Sequence, residues 1–163
     1  MNDMQSKIEA TLRRVMDPEL PFLSIVDLGM IDELKVDDCG NVSIVILPTF
    51  AGCPALQWIQ HNIRSAVENV EGVRSVNVEV SLRKAWSTNR MTDEARRKLR
   101  DKGIAPPHRY RGELNVKTLT HPIPCPHCGS SQTQLRSPFG PALCRAFYQC
   151  NECGQTFERF KPV

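Results

Sequence analysis

No stretch of this chain approaches the ~18 consecutive apolar residues that a membrane-spanning helix needs. The opening residues, Met1-Asn-Asp-Met-Gln-Ser-Lys7, lack the apolar segment of a secretory signal. A disulfide scaffold fits poorly too: the cysteines number 7, an odd count, and four of them fall in two Cys-x-x-Cys pairs. Such usage belongs to metal binding in a reducing compartment, so a cytoplasmic protein is expected. Histidine is scarce, with 4 in 163 residues and only His61 in the first half. A cysteine nucleophile needs a neighbouring histidine held by a third group, and His61 lies two turns into a predicted helix. Intrinsic catalysis is therefore not expected. Internal repeats and low-complexity tracts are also absent.

The net charge of +3 conceals three regions. Residues 1–82 carry 6 Lys/Arg against 12 Asp/Glu, residues 83–117 carry 11 against 4, and the remainder 4 against 2. The basic middle is either a solvated connector or a docking surface for an acidic partner, with Arg96, Arg97 and Arg100 as candidate docking residues. RNA is a poorer fit, because few aromatic residues are interleaved with the basic ones to stack on bases.

Met4, Ile8, Leu12 and Val15 recur at helical intervals, which predicts a helix over 3–16 with Asp3 as N-cap and Pro18 as its stop. A loop then leads to a hairpin, with strands over 30–36 and 42–47 around a turn at Asp37-Asp-Cys-Gly-Asn41. The second strand is apolar on both faces and is expected to be buried on both. A second helix should start at Pro54 and carry the stripe Leu56, Ile59, Ile63, Ala66, Val67 and Val70, ending at Gly72. A third strand over 73–82 would bury Val76, Val78, Val80 and Leu82. The order is αββαβ, an α+β fold with helices on one face of a small mixed sheet and a parallel β–α–β crossover.

Residues 83–122 read as a basic connector with a short helix over 92–102, Thr92 as its N-cap and Gly103 just past its end. Pro106-Pro107, Pro122 and Pro124 read as extended linker. Residues 123–163 read as a β-rich ribbon with strands near 132–136, 145–149 and 156–161, and no sizeable apolar core. Cys125-Pro-His-Cys128 and Cys150-Asn-Glu-Cys153 can close a tetrahedral four-thiolate site around one structural zinc ion. Their separation is about one residue longer than the usual ribbon spacing. Gly129 and Gly154 follow the second cysteine of each pair, where a tight turn brings backbone N–H groups towards the thiolates. Cys144 is expected to pack rather than ligate, and His121 and His127 are weak ligand candidates.

The loop Thr49-Phe-Ala-Gly-Cys53-Pro54 joins a buried strand to a helix. With Pro54 at the first helical position, Cys53 becomes the N-cap, and its sulfur faces unpaired N–H groups that should lower its pKa. Thr49 could donate its hydroxyl to that sulfur. Cys53 is then either a thiolate for iron or an iron–sulfur cluster, or simply a small buried hydrophobe. Asp17 and Glu19 flank Pro18 in a rigid turn. They either serve that turn or face the Cys53 loop as oxygen ligands.

Asp17-Pro-Glu-Leu-Pro21, Ser24-Ile-Val-Asp-Leu-Gly-Met-Ile31 and Thr49-x-x-x-Cys53-Pro54 together resemble the three motifs of the SufT-like metal–sulfur cluster assembly domain. The connector, Ala85-Trp86 through Pro107, and the ribbon segment Phe139-Gly140…Cys144-Arg-Ala-Phe-Tyr-Gln-Cys150 resemble the PaaD (also called PaaJ) family. The resemblance implies an accessory protein of the phenylacetyl-CoA epoxidase system of aerobic phenylacetate degradation, assisting assembly of an iron–sulfur or iron centre. It implies the epoxidase reductase or oxygenase subunits and the iron–sulfur assembly machinery as partners. Cys53 becomes the transient cluster or iron thiolate, supported by Thr49, Asp17 and Glu19. The alternative is a structural, zinc-stapled adaptor holding epoxidase components together. Gln155-Thr-Phe157 and Phe160-Lys-Pro162 depart from the family pattern, which tends to have Glu-Pro-Phe and a final cysteine at these places.

Overall fold

A computed structural model describes residues 3–111 and 114–163; Met1, Asn2 and positions 112–113 of the basic segment lie outside them. The chain forms two compact units, Met1–Trp86 and Ser87–Val163.

In the first unit, helix α1 (Asp3–Leu12) precedes a hairpin of β1 (Ile31–Val36) and β2 (Asn41–Ile46), followed by helix α2 (Leu56–Glu68) and strand β3 (Ser75–Val80). The sheet order is β1-β2-β3, with β1 antiparallel and β3 parallel to the central β2, as the αββαβ order requires. Val42, Ile44 and Ile46 of β2 and Ile59, Ile63 and Val67 of α2 are all buried. Each such side chain contributes about 1.5–3 kcal/mol, so the α2 stripe and the central strand are part of the core that holds this unit together.

Three local expectations for this unit need correction. Helix α1 ends at Leu12, not at Met16. Its last turn tightens, with Arg14 N–H bonded to Thr11 O and Val15 N–H to Leu12 O, and the chain then pairs Met16 with Ser24. Val15 is thereby buried, and its carbonyl receives Ile25 N–H at 2.9 Å, a bond that continued helix would forbid. Strand β3 ends at Val80, leaving Leu82 68% exposed instead of buried. Helix α2 begins at Leu56, so Pro54 and Ala55 form a turn ahead of it and Ala55 takes the N-cap position without a side-chain cap. The hairpin turn is as expected: the Asp37 carboxylate accepts the N–H groups of Cys39 and Asn41, and Gly40 adopts φ +83°.

In the second unit, a single 3-10 turn at Thr88–Arg90 leads to helix α3 (Asp93–Asp101), strand β4 (Ile104–Ala105), helix α4 (Val116–Thr120) and strands β5 (Thr133–Ser137), β6 (Arg145–Cys150) and β7 (Thr156–Phe160). Thr92 caps α3 by accepting Ala95 N–H at 3.0 Å, and Gly103 takes φ +75° just after it. The sheet order is β4-β7-β6-β5, with β4 parallel to β7 and the other pairs antiparallel.

Residues 87–111 are thus woven into the ribbon's own unit. Arg96 donates to the Pro107 carbonyl and, at 2.6 Å, to that of Thr88, while Asn89 and Tyr110 exchange two bonds. Pro107, read as linker, is buried. The ribbon also has the apolar core it was expected to lack: Ala105, Ile123, Cys125, Ala146, Tyr148, Cys150 and Phe157, with Leu135 packed against them. Ala105 of β4 and Ile123 lie outside the three ribbon strands, so counting the apolar residues of those strands could not reveal this core.

Candidate metal centre and cysteine loop

The two Cys-x-x-Cys turns repeat one backbone pattern. In the first, Gly129 N–H returns to Cys125 O at 2.8 Å and Cys125 N–H reaches Ser130 O at 2.9 Å. In the second, Gly154 N–H returns to Cys150 O at 3.0 Å and Cys150 N–H reaches Gln155 O at 2.9 Å. Gly129 (φ +76°) and Gly154 (φ +75°) occupy the left-handed region that such a reversal needs. A Cβ at either position would meet nothing within 4 Å, so backbone conformation, not space, is what calls for glycine.

These turns bring four sulfurs together. The ligand atoms of Cys125, Cys128, Cys150 and Cys153 lie within 4.8 Å of one another, with Cys125 and Cys153 at 3.8 Å and Cys128 and Cys150 at 3.6 Å. Metal–sulfur bonds of ~2.3 Å place tetrahedral corners roughly 3.8 Å apart, so the cluster already has the dimensions of a four-thiolate metal site. It is the one convergence of three or more His, Cys, Asp or Glu ligand atoms found among the described residues. Backbone N–H from Cys153 holds the Cys150 thiol down at about 7. Cys128 is pushed up to about 12, although Ser130 N–H opposes this, because desolvation and the neighbouring thiols disfavour a second negative charge. Uncompensated thiolates repel in this way, and a bound cation removes the repulsion. His121 and His127 are exposed and outside the cluster, and Cys144 is half-buried just before β6.

Cys53 is half-buried in its loop, with its N–H bonded to Phe50 O at 3.1 Å. Its expected low pKa is overturned: the thiol is shifted above its ordinary value. Burial is the largest cause, and the carboxylates of Glu19 and Asp17 add to it. The N–H groups of Ala55 and Leu56 favour the thiolate but are outweighed. Thr49 is half-buried four residues upstream.

The charges of Glu19 and Asp17 thus reach Cys53 through space, but among the described residues their carboxylates and its sulfur do not converge as a group of metal-ligand atoms. The turn role is real as well, since Asp17 Oδ1 accepts the N–H groups of Glu19 and Leu20 at 2.8 and 2.9 Å. Ser24 and Asp27 lock the following loop reciprocally, each backbone N–H donating to the other's side chain.

The three arginines of α3 diverge. Arg96 is half-buried and committed to carbonyls of its own unit, Arg97 pairs with Glu94 on the surface, and Arg100 is exposed at a cavity. Sequence reasoning missed Arg159. It is 2% exposed, donates to Tyr148 Oη at 2.9 Å and to Thr118 O at 3.3 Å, and lies over the Tyr148 ring at 5.6 Å. Strand alternation around Phe157 and Phe160 could have flagged its position.

Comparison with known proteins agrees with this geometry. The family model for iron–sulfur cluster assembly protein matches residues 5–80, and that for PaaD zinc beta ribbon domain matches residues 111–161. A crystal structure of a domain of unknown function, DUF59, from Bacillus anthracis is similar with a TM-score of 0.56 at 32% identity, covering 59% of this chain and 91% of that one. Fold and sulfur cluster together define a two-part protein: an iron–sulfur-assembly-type α+β unit and a metal-binding zinc ribbon.

An Escherichia coli (strain K12) protein, assigned as the D component of a 1,2-phenylacetyl-CoA epoxidase, is 39% identical over 157 residues, covering 96% of this chain and 92% of that protein. An Fe-S protein maturation auxiliary factor of Porphyromonas gingivalis is 34% identical over 91 residues, 56% of this chain and 86% of that protein. The chain belongs to the PaaD family of phenylacetyl-CoA epoxidase components. Among the described residues no helix is long and apolar enough to cross a membrane.

Proposed function

We propose that this protein is a cytoplasmic accessory component of a phenylacetyl-CoA epoxidase system that assists assembly of an iron–sulfur or iron centre in the reductase or oxygenase subunits. The observation that carries this reading is the placement of Cys53 under the influence of both Glu19 and Asp17, in a domain whose relatives include Fe-S maturation factors. The negative charge that raises the proton affinity of the thiol also favours an incoming iron cation, which displaces the proton. Release is eased in the same way, because reprotonation competes with the metal. The ribbon holds zinc permanently through Cys125, Cys128, Cys150 and Cys153, and supplies a folded platform instead of chemistry.

The raised pKa of Cys53 also favours a second reading, in which the thiol stays protonated and the protein is a zinc-stapled adaptor joining epoxidase components. Iron, sulfide and zinc analysis of anaerobically purified epoxidase, matured with wild type or Cys53→Ala, separates the two. The maturation reading expects unchanged zinc, a folded variant and iron-poor client with low epoxidase activity. Full client loading by Cys53→Ala would leave only the adaptor.

A further inference from the structure

Two cavities adjoin on the second unit. One, of about 490 Å³, is lined by Arg96, Arg100, His108 and Arg109 over a floor that includes Ile123 and the prolines 106, 107, 124 and 126. The other, of about 400 Å³, shares His108 and Arg109 and adds Lys117, His121 and Arg159. Among the described residues neither lining contains an acid. Asp93 reaches Arg109 at 2.8 Å from outside and offsets one of the charges. His108 registers the imbalance: its pKa is lowered by desolvation first, and then by the positive charges of Arg159, His121 and Arg96.

Arg96 is already fixed. It gives its N–H groups to the uncharged carbonyls of Pro107 and Thr88, which orient it without neutralising it. Its charge stays available to a ligand at no ordering cost. The exposed Arg100 and Lys117 stand one in each cavity, on either side of the His108–Arg109 ridge. The geometry points to this trough as the docking site for an extended acidic segment of a partner protein.

An extended peptide fits two cavities in series better than a single anion does, and the proline-lined floor accepts apolar side chains between its carboxylates. RNA is disfavoured: Tyr110 is the aromatic residue at the trough, and its hydroxyl is tied to Val163 O at 2.7 Å, leaving no row of stacking platforms. The inference deepens the partner-docking part of the proposed function, and it moves the contact from Arg97, whose charge is met by Glu94, to Arg100 and Lys117.

The test uses the full metal-loaded chain and a fluorescein-labelled peptide of alternating Glu and Ala, titrated by fluorescence anisotropy. Arg100→Glu with Lys117→Glu should weaken binding by about tenfold or more, as loss of complementary charge at an interface does. Arg136→Glu with Arg83→Glu, both exposed and in neither lining, should change it less than about threefold, because salt screens solvated charges that make no contact with the ligand. The neutral pair Arg100→Gln and Lys117→Gln gives the same ranking if charge reversal impairs folding. Equal loss in the control pair, no binding by wild type, or tighter binding of oligouridylate would overturn the proposal. Cys53→Ala must bind the peptide as wild type does, so failure of the trough and failure of Cys53 read out separately.

Discussion

Replacing Thr133 with valine tests how the ribbon holds its first metal turn. Thr133 is 6% exposed and Ile123 is 1% exposed. The Thr133 hydroxyl accepts Ile123 N–H at 2.9 Å and donates to Ile123 O at 2.6 Å. One side chain thereby does for Ile123 what a neighbouring strand would do, two residues ahead of Cys125. Valine keeps the shape and removes both bonds, leaving a buried N–H and a buried carbonyl. Each such orphan costs about 1–3 kcal/mol, so Thr133→Val should destabilise the second unit by about 2–6 kcal/mol. Thr133→Ser keeps the hydroxyl and loses one methyl, worth roughly 0.8 kcal/mol. The chain provides its own reporters, because both tryptophans (Trp58, Trp86) lie in the first unit and both tyrosines (Tyr110, Tyr148) in the second. Urea unfolding followed by tyrosine signal should shift for Thr133→Val while the tryptophan transition stays in place. Chelator-driven metal loss should quicken in parallel. If valine and serine variants unfold together, the hydroxyl is not what anchors the metal turn.

Further outcomes follow from the turns and the thiol. Gly129→Ala and Gly154→Ala place a side chain in open space at left-handed φ, so each should cost only about 1–2 kcal/mol and speed metal release, measured by a colorimetric chelator. Gly40→Ala should cost clearly more by thermal unfolding, since its Cβ would lie 2.3 Å from the Gly72 carbonyl oxygen. Alkylation of Cys53, followed by mass spectrometry of its peptide across pH, should show an apparent pKa above that of a free cysteine thiol. Glu19→Gln should lower that pKa and quicken labelling at any pH below it, because the Glu19 charge opposes thiolate formation; an unchanged profile would remove Glu19 from the Cys53 environment.

The thiol is also where local reasoning fell short. Reading Cys53 as an N-cap counted the N–H groups just after it, which are adjacent in sequence, and those groups do favour the thiolate. What reverses the sign arrives from a turn more than thirty residues earlier and from the packing around the loop. Likewise, Thr92 and Gly103 were legible as the two ends of α3, since a cap and a left-handed turn are set by the residues themselves. The fate of Arg96 between them was not, because its partners are carbonyls at Thr88 and Pro107 that only the folded chain brings within reach. Helix α1 shows the same limit: its apolar spacing ran on to Val15, but the pairing of Val15 with Ile25 ended it a turn early.

What the sequence determined by itself is therefore short-ranged. The αββαβ order follows from hydrophobic period and turn residues, and each half of the four-sulfur site follows from a tight Cys-x-x-Cys-Gly reversal that is local in sequence, although the fold is what brings the two halves together. Tertiary structure alone decided that β4 would lie parallel to β7, that Arg159 would be buried against Tyr148, and that the basic segment would wall a trough instead of spanning a gap. The physical reason is common to all three. Hydrogen bonds and desolvation act between atoms that touch, and which distant atoms touch is settled only when the core closes around them.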